Sequence, residues 1–471
     1  MSALTSSSAE EPNLAVQIEA STKTKPKTLF LLGDWQYVER SLHRLMAAWG
    51  RYFPDWEDKC SLHRHVWEQS ECVRRLRQRM EEFVGGKPDA AVSAKLERLA
   101  NTVLLAPSFQ DAVDGIYAHL THALVKSYLE YIHHAHSVHD APTIAMLHEI
   151  CTMKEQHRLW FHDFRRRHPH TTDAAYVAVI NREVESCGRL TAGLPIEGEP
   201  AKPCGVATDF RLPRSSARTP HWKPKHDIAL YVRQDFETSI ETRRLWWAYA
   251  YMLEMNLPDD QLRWIYWGHF MPWAWHQDIS RHLWDESRHG DSGYSRLKDF
   301  GISMDEVGFP PYQKLGDPEG GIIDLGPDEP LTAKDLYEEV YLIGMVAETV
   351  HFQVKNESYA DFRDGGDMES AEMMLFDVID ETTHVQYAHR WLPVLAEFGE
   401  VTDHPDYKKR SSRDRAKCEA ESRAHHDGDL AKPRDPADPA FIFYQDLLAR
   451  ARKARPLTNA TTCPPRQLMP M

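Results

Sequence analysis

Two short stretches carry residue types that can hold a metal. Asp285-Glu286-Ser287-Arg288-His289 and Asp380-Glu381-Thr382-Thr383-His384 each set a glutamate and a histidine three residues apart. In a helix, residues at i and i+3 share a face, so one carboxylate and one imidazole can close on a single ion. A lone Glu from each of two further helices would complete a di-metal site of the kind built inside four-helix bundles. Glu241 lies before the first pair and Glu348 between the two, in the right chain order. Composition alone predicts roughly two Glu-x-x-His matches in such a chain, so the spacing by itself says little. The chain holds four: Glu130/His133, Glu286/His289, Glu348/His351 and Glu381/His384. The informative feature is the order Glu, Glu-x-x-His, Glu, Glu-x-x-His, with an aspartate directly before both main motif glutamates.

Asp285-Glu286-Ser287-Arg288-His289 resembles the D-E-x-R-H motif of ferritin-like di-iron carboxylate oxygenases, and Asp380-Glu381-Thr382-Thr383-His384 resembles its weaker partner, with Thr383 in place of the arginine. The likeness covers residues 230–400 well and 28–190 loosely. It implies an all-α protein of two tandem ferritin-like four-helix bundles, with two irons (or manganese) in the second. It implies metal ligation by Glu241, Glu286, His289, Glu348, Glu381 and His384, with Asp285, Arg288 and Asp380 orienting the histidines. It further implies dioxygen and a small organic substrate, oxidised by hydroxylation, epoxidation, N-oxygenation or desaturation, with electrons from a separate reductase or carrier. A ferroxidase or other metal-handling role, and a non-catalytic helical scaffold, are the alternative readings.

The elements that must position these residues are helical. Residues 28–190 and 227–400 read as two helical blocks, joined by a Pro-rich linker over 191–226. A Gly/Pro-rich break from Gly301 to Pro330 sits where a ferritin-like bundle needs its long crossover. The blocks also read as repeats of each other. His65-Val66-Trp67-Glu68-Gln69-Ser70-Glu71-Cys72 aligns with 282–289, Glu130/His133 with Glu348/His351, Lys154/His157 with Glu381/His384, and Glu39 with Glu241. On this alignment the first block has Gln69, Cys72 and Lys154 where the second has Glu286, His289 and Glu381, so it reads as a degenerate half. Glu241 is chosen over Glu237 because its distance to Pro258 resembles that of Glu39 to Pro54.

Trp264 to Trp275 is unusually aromatic, and reads either as core or as an apolar wall beside the metals. Tyr249, Trp267 and His351 are candidate redox or substrate-pocket residues. His133, His134, His136 and His139 read as a solvated turn. The chain has 471 residues and a net charge of −15, which argues against nucleic acid or an anionic membrane as partner. Seven cysteines without a C-x-x-C pair fit reduced thiols in the cytoplasm. No stretch approaches the ~18 apolar residues of a membrane helix. Residues 1–27 and most of 401–471 read as disordered tails, with a short amphipathic helix over Phe441–Arg452.

Overall fold

A computed structural model describes residues 27–90, 92–190, 210–213, 216–218, 226, 228–236, 239–309 and 330–454. The expected N-terminal tail, most of the linker and most of the Gly301–Pro330 crossover fall outside them. Among the described residues the architecture is all-helical, without strands. None of these helices is long and apolar enough to cross a membrane. The cysteines described, Cys60, Cys72, Cys151, Cys187 and Cys418, are free thiols.

The helices run α1 (Lys27–Gly50), α2 (Trp56–Glu81), α3 (Ala94–Leu104), α4 (Phe109–Asp114), α5 (His122–His134), α6 (Ala141–Arg167), α7 (Ala174–Ser186), α8 (Ala229–Asp235) and α9 (Ile240–Glu254). They continue as α10 (Asn256–Trp267), α11 (Trp273–Asp299), α12 (Met304–Val307), α13 (Ala333–Leu342), α14 (Glu348–Val350), α15 (Phe352–Asp364), α16 (Met368–Phe398), α17 (Tyr407–Ala431) and α18 (Pro439–Lys453). Two π-helical turns, Gly115–Thr121 and Ile343–Ala347, link α4 to α5 and α13 to α14. The chain divides into two compact units, residues 1–43 with 71–207 and residues 44–70 with 208–471.

In the first unit, Trp35 is fully buried, donates to Ser127 Oγ at 2.8 Å and meets Tyr128 edge-on. Glu39 is buried there too. It accepts from Tyr128 Oη at 2.8 Å and from the Lys154 ammonium at 2.7 Å. A buried carboxylate needs such partners, because leaving it unpaired costs several kcal/mol or more. Glu130 is exposed, unlike the interior position given to it by the alignment with Glu348. The two π-turns suggest why. Gly115-x-x-Ala118-x-x-x-His122-x-x-Val125-Lys126 and Gly344-x-x-Ala347-x-x-x-His351-x-x-Val354-Lys355 share the same spaced residues, which sets His119, not Glu130, opposite Glu348. His136 Nδ1 accepts from the backbone N–H groups of Val138 and His139, a turn-capping role.

In the second unit, α9 packs on α11, α11 on α16, α16 on α13 and α15, and α15 back on α9. The α9–α11 contact is close: a Cβ on Gly293 would lie 2.4 Å from Met252 N and 2.7 Å from Ala248 O. Only glycine admits that approach. Asp367 caps α16 by accepting from Ser370 N, and it also accepts from Arg244 of α9 at 3.2 Å and Arg296 of α11 at 3.0 Å. One buried aspartate thus ties three helices, and the N-cap bond alone contributes about 1 kcal/mol. The C-terminal segment read as mostly disordered carries α17 and α18. On α18, Tyr444, Leu447, Leu448 and Ala451 enter the core with Val232, Leu245 and Met252.

Candidate metal centre

Two helices present the same stripe. His282, Glu286, His289 and Gly293 of α11, and Asp377, Glu381, His384 and Ala388 of α16, are each spaced four, three and four residues apart, which keeps them on one helix face. The stripes face each other inside the second unit and form two adjoining groups.

The first group is His282, Glu286, Glu348 and His384, all buried, with one ligand-capable atom each within 4.8 Å of the others. His282 Nε2 lies 3.2 Å from both Glu286 Oε1 and Glu348 Oε1. His384 Nδ1 lies 3.2 Å from Glu286 and 3.4 Å from Glu348. The two imidazoles stack with centroids 3.7 Å apart. The second group is Glu254, His289 and Asp377, with His289 Nδ1 3.4 Å from Asp377 and 3.5 Å from Glu254. Glu286 touches both groups, since its Oε2 lies 3.5 Å from His289 Nδ1. Beside the second group the buried Lys355 ammonium is 2.8 Å from Asp377 Oδ2 and also donates to Glu381.

Burial pushes the Glu286 carboxyl up, but hydrogen bonds with His282, His289 and His384 outweigh it and hold it well below its ordinary value. Burial and the Glu286 charge raise Glu348, yet His384 and His282 bring it down to about 2. Burial opposes charge on His384 and His289 as well. Glu348 overcomes it for His384 and Asp377 for His289, so both imidazoles are pushed well up. Glu254 is raised to about 7 by burial, against the nearby Lys355 charge. Glu381 is raised well above the carboxylate range by burial and by Asp377.

The aspartates behind the motifs cross over. Asp285 Oδ2 lies 3.5 Å from His384 Nε2, and Asp380 Oδ2 lies 3.3 Å from His289 Nε2. Arg288 donates to both Asp285 and Asp380, so one arginine spans the pair although the second motif has Thr383. Arg281 adds bonds of 2.8 and 2.9 Å to Asp285.

Glu286, His289, Glu348 and His384 come together, with Glu381 beside Lys355. Glu241 does not join them. It stands in the first turn of α9, thirteen residues before Glu254, or roughly 20 Å along the axis. Pro258 sits in the first turn of α10, where a missing N–H costs little, and it is Pro272 before α11 that matches Pro54 before α2. Tyr249 packs in the apolar core, and the tyrosine beside the centre is Tyr251, its ring 6.2 Å from that of His289. Trp267 pairs with Tyr266, and His351 is exposed. Trp264, from the aromatic run, lines a small pocket with Ile279, His282, Val340, Ile343, Gly344, His384, Tyr387 and Ala388. Sequence reasoning passed over His282, Glu254, Asp377 and Lys355. Each lies one turn from a motif residue or at a helix end, a signal that appears only once the helix phase is known.

No protein family, curated protein or solved structure matches the chain.

Proposed function

We propose that the second unit is a ferritin-like bundle holding two iron ions (or manganese), and that the protein is a dioxygen-dependent oxidoreductase acting on a small organic substrate. On this reading the first unit is a second, metal-poor bundle, in which the Glu39–Lys154 pair stands where ligands would be. The observation that carries the reading is the crowding of buried ligand atoms in one place: His282, Glu286, Glu348 and His384 form one group and Glu254, His289 and Asp377 another, with the ligand atoms of each group within 4.8 Å of one another. Buried carboxylates are costly unless cations balance them, so this concentration is what a cation-binding site looks like when only its protein groups are considered. The donor chemistry agrees. Carboxylate and imidazole suit iron and manganese, and five carboxylates against one ammonium leave the charge of two divalent cations.

Bound iron would supply the oxygen chemistry. The chain's own residues do the rest. Glu286 is placed to bridge the two groups, with His282, Glu348 and His384 on one side and Glu254, His289 and Asp377 on the other. Asp285 and Asp380 hold the second nitrogens of His384 and His289. Trp264, Ile279, Val340 and Ile343 give the pocket apolar walls that exclude water. The same residues also suit a ferroxidase, and a separate electron donor serves the oxygenase reading alone.

Anaerobic loading with ferrous iron, elemental analysis and dioxygen uptake test this. At saturation we expect two irons per chain. Glu286→Ala and Glu254→Ala should lose much of that metal, while Glu241→Ala keeps it. A folded chain that binds no metal would overturn the reading, and so would equal losses from all three variants. Dioxygen uptake that continues with excess ferrous iron alone, with neither electron donor nor organic substrate, would favour the ferroxidase.

A further inference from the structure

Lys355 is the one ammonium at the centre among the described residues, and it does not touch both ligand groups equally. It rises from α15 into the buried space, 2.8 Å from Asp377 Oδ2 and bonded to Glu381, with its nitrogen 5.3 Å from the centroid of the Tyr251 ring. Asp377 turns its other oxygen to His289. Among the described residues, the contacts of His282, Glu286, Glu348 and His384 include no ammonium.

We propose that Lys355 occupies the second metal position as a built-in cation, so that the centre loads one ion at a time. The His282–Glu286–Glu348–His384 group fills first, and the Glu254–His289–Asp377 group fills only as Lys355 is displaced. This rests on the two-ion reading above. The reason is competition for the same carboxylate, that of Asp377. A divalent ion on one oxygen of Asp377 and an ammonium on the other repel each other at a few ångström, in a setting too buried for water to screen them. Removing the ammonium without replacing its charge would be costly, because Asp377 would then be a buried anion without a cation. The exchange of Lys355 for the second ion meets both demands. The lysine's long, flexible stem allows its head to leave while α15 stays in place.

The test is a titration of metal-free full-length protein with cobalt(II) alone, under argon, by calorimetry and by the visible absorption of bound cobalt. The wild type should take one equivalent tightly and a second roughly 100-fold more weakly. Lys355→Met should take two equivalents with affinities within about tenfold of each other. Lys355→Arg, which keeps the charge, should retain the two-step curve. Two equally tight equivalents in the wild type would overturn the proposal while leaving the metal reading intact. So would a second equivalent in Lys355→Met as weak as in the wild type. Absence of cobalt binding in every variant would overturn both. If Lys355→Met does not fold, as judged by helical circular dichroism, Lys355→Gln replaces it and the wild-type curve still decides.

Discussion

Asp285 and Asp380 each stand directly before a motif glutamate, yet each serves the histidine of the opposite helix. The contact of Asp285 with His384 at 3.5 Å and that of Asp380 with His289 at 3.3 Å form a crossed pair, spanned by Arg288. A carboxylate on the far nitrogen fixes the ring and makes the near nitrogen a better donor. Asp285→Ala and Asp380→Ala should therefore keep their helix content and lose roughly 10- to 100-fold in metal affinity, measured against a competing chelator. Unchanged affinity in both variants would show that the pair is merely structural. These aspartates and four of the ligand-capable residues could be read from the chain, because Asp-Glu-x-x-His is a local spacing that any helix turns into a shared face. Glu254 could not. It ends a helix that breaks at Met255, and Pro258 imitates the terminator that Pro272 supplies.

A second residue-scale prediction concerns Glu339, which accepts from Trp264 Nε1 behind the pocket wall. Burial pushes its carboxyl up to about 8, only partly offset by Arg263. An unfolded glutamate titrates near ~4.3. Between these values the folded protein holds a proton that the unfolded chain has released, so this group's contribution to stability falls as pH rises from about 4 to about 8. Glu339→Gln keeps an acceptor for Trp264 and removes the titration. It should be more stable than wild type by ~2 kcal/mol at about pH 8.5 and differ little at about pH 5. Equal melting temperatures at the higher pH would refute the assignment.

At the scale of the elements, the pocket depends on how closely the Ile343–Ala347 turn lies against α16. A Cβ on Gly344 would sit 2.5 Å from Ala388 Cβ and 3.6 Å from the His384 carbonyl oxygen. Gly344→Ala must push the turn away from the helix that carries His384, at a cost of about 1–3 kcal/mol. Chemical denaturation would measure that loss, and a neutral result would mean that the turn shifts freely. The π-turn itself was not legible. A single surplus residue leaves no mark on local composition, and the blocks align by Glu-x-x-His only by ignoring it. Gly-x-x-Ala-x-x-x-His-x-x-Val-Lys, present twice, was the pattern that could have revealed it.

Across the whole molecule, helical class could be read from periodicity and from the scarcity of strand signals. The assignment of residues 44–70 to the second unit could not, since contact boundaries need not follow loops. Nor could the two C-terminal helices be anticipated in full. α17 has almost no apolar face, so its sequence looks like solvated chain, whereas α18 carries the apolar residues that dock it. The first unit retains its buried glutamate and matches it with a lysine instead of a ligand set. On the proposed reading it is a degenerate half with a structural or substrate-gating role.

The surplus residue between 343 and 347 also sets an angle. From Val340, in the pocket wall, to Glu348, among the ligand-capable residues, is eight positions. In an unbroken α-helix those eight would turn the chain roughly 80° beyond two full revolutions, and one of the two side chains would point elsewhere. With one position absorbed into the wide turn, the offset shrinks to about 20°. Wall and ligand then look the same way from one continuous rod. The centre and its antechamber are therefore two phases of a single helix, joined by a dislocation.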